Sequence, residues 1–101
     1  MSFLITLKVN GDTAVFQKAL ADRAAEFEAV VEKAKAAGAI HHRFGVGDGY
    51  VHVIDEWETV EGFQGFFGEA SMQEFLGSIG ADTSAEPDIT VSLALRTVDE
   101  F

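Results

Sequence analysis

The feature that most constrains the fold is a hairpin signal at the centre of the chain. Residues 39–46 and 50–57 both read as strands, and only Gly47, Asp48 and Gly49 separate them. Asp-Gly is among the strongest hairpin sequences, because the tight turns that reverse a strand favour residues that tolerate positive φ. Two adjacent antiparallel strands are therefore predicted in the middle of the sequence.

Strand and helix patterns alternate on both sides of this hairpin. Apolar side chains at every second position predict a first strand containing Phe3, Ile5, Leu7 and Val9. The same alternation predicts a last strand containing Ile89, Val91, Leu93 and Leu95. Residues 80–88 carry small, polar and helix-breaking residues and the only proline, which predicts a surface loop before that strand.

One long amphipathic helix is predicted between the first strand and the hairpin. Its apolar positions recur at steps of three and four residues, at Phe16, Leu20, Phe27, Val30, Val31 and Ala34. Asp12 lies at its start and Gly38 fits the left-handed stop position, so the helix is expected to end near Ala37.

A second helical region follows the hairpin. Thr59 can cap a helix that carries Phe63, Phe66 and Phe67, although glycines at positions 62, 65 and 68 weaken it. Ser71 and Glu74 match a capping box, which predicts a break at Ser71 and a new helical segment after it.

This order, βαββαβ, predicts an α+β, ferredoxin-like domain spanning residues 1–101, with a four-stranded antiparallel sheet and helices on one face. Strands one and four each offer a continuous apolar face, and Val51, Val53 and Ile54 make strand three apolar on both sides. Such a pattern indicates burial of both sheet faces. We therefore expect a second copy of the chain to cover the face that the helices leave open, in a homodimer.

Composition narrows the classes of partner. Apolar residues make up 48% of the chain, which is enough to drive folding despite a formal charge of −10. Seventeen acidic against seven basic residues repel phosphate backbones and anionic lipid, so neither nucleic acid nor membrane is an expected partner. The absence of Cys fits a reducing compartment, and no signal peptide or apolar run of membrane-spanning length is present, so the cytoplasm is the expected location.

The end of the third strand resembles a known family. Asp55, Glu56, Trp57 and Thr59, followed by Glu61 and Phe63, resemble the dimeric α+β barrel proteins, particularly the antibiotic biosynthesis monooxygenase type. The resemblance implies a homodimer whose sheets join into a barrel, with a small pocket between sheet and helices in each subunit. The family that it resembles includes cofactor-independent oxygenases of quinol-like aromatics, haem-degrading enzymes and many proteins with no known activity. The haem-degrading branch is disfavoured, because the first strand has no Asn before Asn10 and the second helix has no His.

All three histidines lie in the central hairpin, at His41, His42 and His52. If Asp48 and Gly49 form a two-residue turn, His42 lies opposite Asp55 and shares a face with Phe44, Val53 and Trp57, while His41, Arg43 and His52 share the other face. If Gly47 also belongs to the turn, the parity reverses and His42 shares a face with His52 and Glu56. The sequence leaves both registers open.

These residues support two interpretations of function. In the first, His42 or His52 takes a proton from a small aromatic or quinol-like substrate and Arg43 steadies oxyanion charge, without metal, flavin or haem. Trp57, Phe63, Phe67 and Asp55 would bind the substrate. In the second, the protein is a non-enzymatic homodimer that binds a ligand or serves a structural role, and a His42–Asp55 pair only stabilises the sheet. A metal site would need His42, His52 and Glu56 on one face, so no metal is predicted. A cavity of a few hundred cubic ångströms reaching Trp57 and a histidine would favour the first interpretation.

Overall fold

The structure, a computed structural model, describes all 101 residues. The elements follow in the order β1 (Phe3–Asn10), α1 (Thr13–Asp22), α2 (Ala24–Ala37), β2 (Ala39–Gly47), β3 (Tyr50–Trp57), α3 (Val60–Phe67), α4 (Ala70–Ser78) and β4 (Asp88–Leu93). No helix combines the length and the apolar character that crossing a bilayer would need.

The four strands form one antiparallel sheet in the order β2-β3-β1-β4. The first strand is central and pairs with both β3 and β4, so the two crossover connections place the helices on the same face. Ile5 and Leu7 of β1 are completely buried beneath that layer, where Phe63 of α3 packs against them. The predicted ferredoxin-like α+β fold is confirmed.

The hairpin register is that of the two-residue turn. Gly47 pairs with Tyr50 and His42 pairs with Asp55, and Gly49, the second turn residue, has a positive φ of 79°, which glycine adopts without strain. A bulge at the start of β2 shifts the register between Ala39 and His41. The alternative register, which would place His42 with His52, is therefore not formed.

The predicted long helix is two helices, because the chain breaks at Arg23. Arg23 has φ −124° and ψ 35°, outside the helical range, and its N–H still donates to the carbonyl of Ala19. Its guanidinium group binds Glu26 in α2 and the carbonyl and hydroxyl oxygens of Ser78 in α4. The local bonds to Glu26 and the long-range bonds to Ser78 stabilise a break that no helix-breaking residue in the sequence marks.

The helix ends agree with the sequence at three positions and differ at one. Asp12 accepts hydrogen bonds from the N–H groups of Ala14 and Val15, Thr59 accepts one from Gly62, and Gly38 adopts φ 117°. The break in the second helical region was predicted at Ser71. In the structure α4 begins at Ala70, after Glu69, so Ser71 lies inside the first turn and does not cap the helix. The last strand also ends at Leu93, two residues before Leu95.

The open face of the sheet is more polar than the sequence pattern indicated. The strand pairing places Lys8, His52, Arg43 and Glu56 on this face, where Leu4 and Ile54 are the large apolar members and are 43% and 47% exposed. The prediction of two strongly apolar faces was wrong because Val51 and Val53 both point to the helix side, with Leu7 and Val9. Apolar exposure is concentrated instead on β4, whose helix-side residues Ile89, Val91 and Leu93 are nearly half exposed.

Candidate functional site

A cavity of about 400 Å³ lies between the sheet and the helices. Its lining is mostly apolar, and most of the phenylalanines of the chain contribute to it, among them Phe16, Phe27, Phe44, Phe63, Phe67 and Phe75. The cavity lies between the two buried clusters of the core, one around Trp57 and one around Phe16. Its volume is in the range of small-molecule binding sites.

A chain of three polar side chains reaches into this apolar space. The Nδ1 atom of His42 lies 2.7 Å from Oδ1 of Asp55, and Nε1–H of Trp57 donates to Oδ2 of the same carboxylate over 3.1 Å. All three residues line the cavity, and Asp55 and Trp57 are buried. The strand pairing produces this arrangement, because His42 lies directly opposite Asp55 and Trp57 is two residues further on the same face of β3.

The hydrogen bonds determine which nitrogen of His42 is free. A carboxylate only accepts hydrogen bonds, so the neutral imidazole carries its proton on Nδ1 and donates it to Asp55. The Nε2 atom then bears the lone pair and has no protein partner. The His42 ring is also held edge-on against Phe44, with ring centroids 4.5 Å apart, and 35% of its side chain is exposed. His42 is thus oriented to accept a proton at Nε2.

Aromatic rings form a wall beside this polar chain. Trp57 packs against Phe63 and Phe66 with centroid distances of 5.5 Å and 5.6 Å, and Phe63 is stacked on Phe67 at 5.4 Å. Flat rings of this kind offer an apolar surface to a planar ligand. Three of the residues predicted to bind the substrate therefore lie in the same wall, namely Trp57, Phe63 and Phe67.

The other two nominated catalytic residues lie apart from this group. His52 is on the open face of the sheet, between Lys8 of β1 and Gly45 of β2, and does not line the cavity. Arg43 borders the cavity, but its position in β2, opposite Ile54, belongs to the open face and it is exposed. No group of three or more His, Cys, Asp or Glu side chains is arranged to hold a metal ion.

Sequence reasoning missed the far wall of the cavity. Phe16, Phe27 and Phe44 make edge-to-face contacts there, with centroid distances between 5.0 Å and 6.3 Å. Their spacing along the helices and β2 is that of ordinary core residues, and the pattern gives no indication that space remains between them. The histidine, the carboxylate and the tryptophan were recognisable because their residue types are unusual on an apolar face.

Comparison with known proteins identifies the fold. No protein-family profile matches the sequence, and no curated protein matches it. Among solved structures, a monooxygenase from the gene ActVA-Orf6 of Streptomyces coelicolor, in complex with the ligand nanaomycin D, superimposes with a TM-score of 0.67 at 16% identity, covering 99% of this chain and 93% of that one. SnoaB, a cofactor-independent oxygenase from Streptomyces nogalater, gives 0.59 at 14% identity, covering 98% and 96%.

A third similar structure is Rv0793 from Mycobacterium tuberculosis, with a TM-score of 0.60 at 10% identity over 98% of this chain and 100% of that one. All three alignments span nearly the whole of both chains, so the likeness is one of complete domains. At these identities it shows a common fold.

Proposed function

We propose that this chain, whose fold is that of the dimeric α+β barrel proteins of the antibiotic biosynthesis monooxygenase type, is a cofactor-independent monooxygenase of small phenolic or quinol-like aromatics. The observation that carries the proposal is the hydrogen-bonded chain of His42, Asp55 and Trp57 in the wall of an apolar cavity. The two similar oxygenases support the choice of reaction.

The cavity provides the binding part of this activity. Trp57, Phe63 and Phe67 offer ring faces, and the remaining lining is largely aliphatic or aromatic, so a planar apolar molecule replaces water there favourably. Such surroundings also strengthen the few polar contacts that are present, because little water screens them. A phenolic hydroxyl would find Nε2 of His42 as its acceptor.

His42 would act as the general base. Nε2 takes the phenolic proton, and the positive charge that forms on the imidazole is stabilised by the Asp55 carboxylate 2.7 Å from Nδ1. Trp57 keeps that carboxylate in place by donating to its second oxygen. The phenolate that results is far richer in electrons than the phenol and is the form that gives an electron to dioxygen.

The overall reaction needs no external reductant. A phenol with a free ring carbon reacts with one O₂ to give a quinone and one water, so one oxygen atom enters the ring and the other leaves as water. All four electrons come from the substrate, which loses its phenolic hydrogen and one ring hydrogen. Arg43 has no part in this scheme, because its strand position faces the opposite side of the sheet.

The test is oxygen uptake with a panel of naphthols and hydroxyanthracenes. We expect turnover by the parent protein, a loss of about 10²-fold or more in His42→Ala, and unchanged turnover in His52→Ala, which alters a histidine on the open face. With ¹⁸O₂, one labelled oxygen should appear in the quinone. Absence of turnover across the panel would contradict the proposal.

The alternative function is ligand binding without catalysis, which the same cavity supports. Quenching of fluorescence from Trp57, the only tryptophan, reports ligand entry independently of oxygen uptake. Saturable quenching with no oxygen uptake and no change of the ligand would select this alternative.

We also propose that the chain works as a homodimer in the cytoplasm. The nearly half-exposed Ile89, Val91 and Leu93, on the helix side of the edge strand β4, supply apolar surface for a second copy. Sedimentation at micromolar concentration checks this, and a monomer would exclude it.

A further inference from the structure

We infer that a second cavity, next to the first, holds a neutral polar substituent of the substrate at the end remote from His42. This inference rests on the proposed function for the identity of the aromatic core, and it adds a binding site and a restriction on substrate class. The second cavity has a volume of about 170 Å³ and is named the annex here; residues 81–87 of the loop before β4 form much of its wall.

The annex adjoins the main cavity. Five residues line both spaces: Val9, Asn10, Phe67, Leu76 and Ala81. Phe67 and Leu76 belong to α3 and α4, whereas Val9 and Asn10 end β1, so the junction lies where the helical layer, the sheet and the loop meet. The two spaces therefore share a wall at this junction, and the inference is that a ligand extends across it from the main cavity into the annex.

The Val9 end of the junction lies far from the proposed base. Val9 pairs with Val51 of β3, and Val51 precedes Asp55 by four residues along the strand. At about 3.3 Å per residue, this separation is about 13 Å. A molecule that places a hydroxyl at His42 and a substituent in the annex must therefore be longer than one aromatic ring.

The two spaces differ in chemistry. The main cavity is mostly apolar, whereas the annex has a mixed lining that contains no Lys, Arg or His. Its polar side chains are those of Asn10, Gln73, Asp82, Thr83, Ser84 and Glu86. Hydroxyl and amide groups can donate to and accept from such a lining, but a carboxylate substituent would meet Asp82 and Glu86 without a compensating cation. The annex therefore favours a hydroxyl or amide over an anionic group.

Hydrogen bonds within the protein hold this wall in place. The N–H of Asp82 donates to the carbonyl of Asn10 at 2.9 Å, and Gln73 donates to the carbonyl of Phe67 at 2.7 Å. The N–H and hydroxyl of Ser84 donate to Oδ1 of Asp82 at 3.0 Å and 2.5 Å. These donors hold the pKa of Asp82 below its ordinary value, with the Ser84 hydroxyl first. These bonds connect the exposed loop residues of the annex to β1 and to one another.

The experiment measures binding, in the absence of oxygen, of three 1-naphthols that carry an ethyl, a 2-hydroxyethyl or a 2-carboxyethyl group at the same carbon, by quenching of Trp57 fluorescence. We expect the hydroxyethyl compound to bind about five-fold more tightly than the ethyl compound, the effect of one net hydrogen bond. The carboxyethyl compound should bind more weakly than both. Equal affinities for the ethyl and hydroxyethyl compounds, or no binding of any of the three, would overturn the inference.

Two variants and a matched control locate the effect. Glu86→Lys should improve binding of the carboxyethyl compound several-fold, whereas Glu28→Lys, the same charge change on α2 outside both cavities, should not. Ala85→Phe, which adds a bulky ring to the lining of the annex, should abolish the preference for hydroxyethyl over ethyl. If both annex variants behave as the parent does, the annex has no role in binding.

These measurements separate the annex from the catalytic proposal. A preserved hydroxyethyl preference without oxygen uptake on the phenol panel would contradict the monooxygenase activity and leave the annex as a binding site. Turnover of the phenols with equal binding of the three compounds would contradict the annex and leave the monooxygenase proposal standing.

Discussion

The Nδ1 atom of His42 lies 2.7 Å from Oδ1 of Asp55, across the hairpin from β2 to β3. The second oxygen of the same carboxylate accepts from Trp57, so both sides of Asp55 are occupied and its orientation is fixed. This arrangement satisfies a buried carboxylate, and it also leaves Nε2 of His42 as a hydrogen-bond acceptor at the cavity. The predictions below distinguish its contributions to stability and to chemistry.

Asp55→Asn should impair turnover much more than binding. The amide of Asn can donate to Nδ1, which favours the proton on Nε2 and removes the lone pair that would accept a phenolic proton. We expect kcat for oxygen uptake to fall by about 10²-fold or more, with ligand affinity from Trp57 quenching within a few-fold of the parent. A variant that retains its kcat would show that the tautomer of His42 is irrelevant to the reaction.

Trp57→Phe should destabilise the fold as well as release Asp55. Trp57 is 1% exposed, so the smaller ring leaves a gap and the carboxylate loses a donor. The expected loss is about 1–3 kcal/mol in the free energy of unfolding, measured by urea titration followed by far-UV circular dichroism. Phe66→Leu, which alters a partly exposed neighbour without a hydrogen bond, should cost less. A loss for Trp57→Phe that is no larger than that for Phe66→Leu would contradict this prediction.

Two glycines of α3 should respond in opposite directions to the same substitution. A Cβ on Gly62 would overlap the carbonyl oxygen of Ala37 in α2, whereas a Cβ on Gly65 would meet nothing within 4 Å. Gly65→Ala should raise the free energy of unfolding by about 0.5–1 kcal/mol, through the better helix propensity of Ala. Gly62→Ala should lower it by about 1–3 kcal/mol, because the two helices must separate. Thermal unfolding of the pair measures both, and a stabilised Gly62→Ala would rule out this close helix contact.

The contribution of Arg23 to stability should depend on pH. Its hydrogen bonds hold the pKa of Glu26 below the ordinary value for a glutamate. The pair therefore contributes fully above the ordinary pKa and loses its contribution as pH falls through the lowered value. Accordingly, the difference in unfolding free energy between the parent and Arg23→Ala should be larger at pH 7 than at pH 3.

Part of the effect of Arg23→Ala should persist at low pH, since Arg23 also binds the carbonyl and hydroxyl of Ser78 and lies over the ring of Phe75. Lys18→Ala, which breaks an exposed pair with Asp22 within α1, is the control and should have little effect. A difference for Arg23→Ala that is the same at both pH values would exclude the Glu26 pair as its cause.

The sequence was sufficient for the strands and for the existence of the hairpin, but it left two registers open. Period-two patterns and one Asp-Gly turn predict β1, β2 and β3, and the two-residue turn places His42 opposite Asp55. A turn of either length is compatible with these residues. Only the structure excludes the alternative in which Gly47 belongs to the turn.

Other features depend on contacts between distant parts of the chain. The break at Arg23 falls within a continuous helical pattern and is stabilised by Ser78, 55 residues away. The polarity of the open face follows from the parity of β3, which only pairing with β1 establishes. Whether Phe16, Phe27 and Phe44 fill the space beneath them or enclose a cavity depends on the distance between the layers, which periodicity does not report.

The exposed side of β4 has a consequence for handling the protein. Its outer backbone edge is unpaired in the sheet order and borders a row of three half-exposed aliphatic side chains, which is the kind of template on which other strands add. At low ionic strength the charge of −10 keeps such encounters rare. Added salt shortens the range of that repulsion to about 10 Å at 0.1 M. Concentrated solutions of the protein should therefore become turbid as the salt concentration is raised.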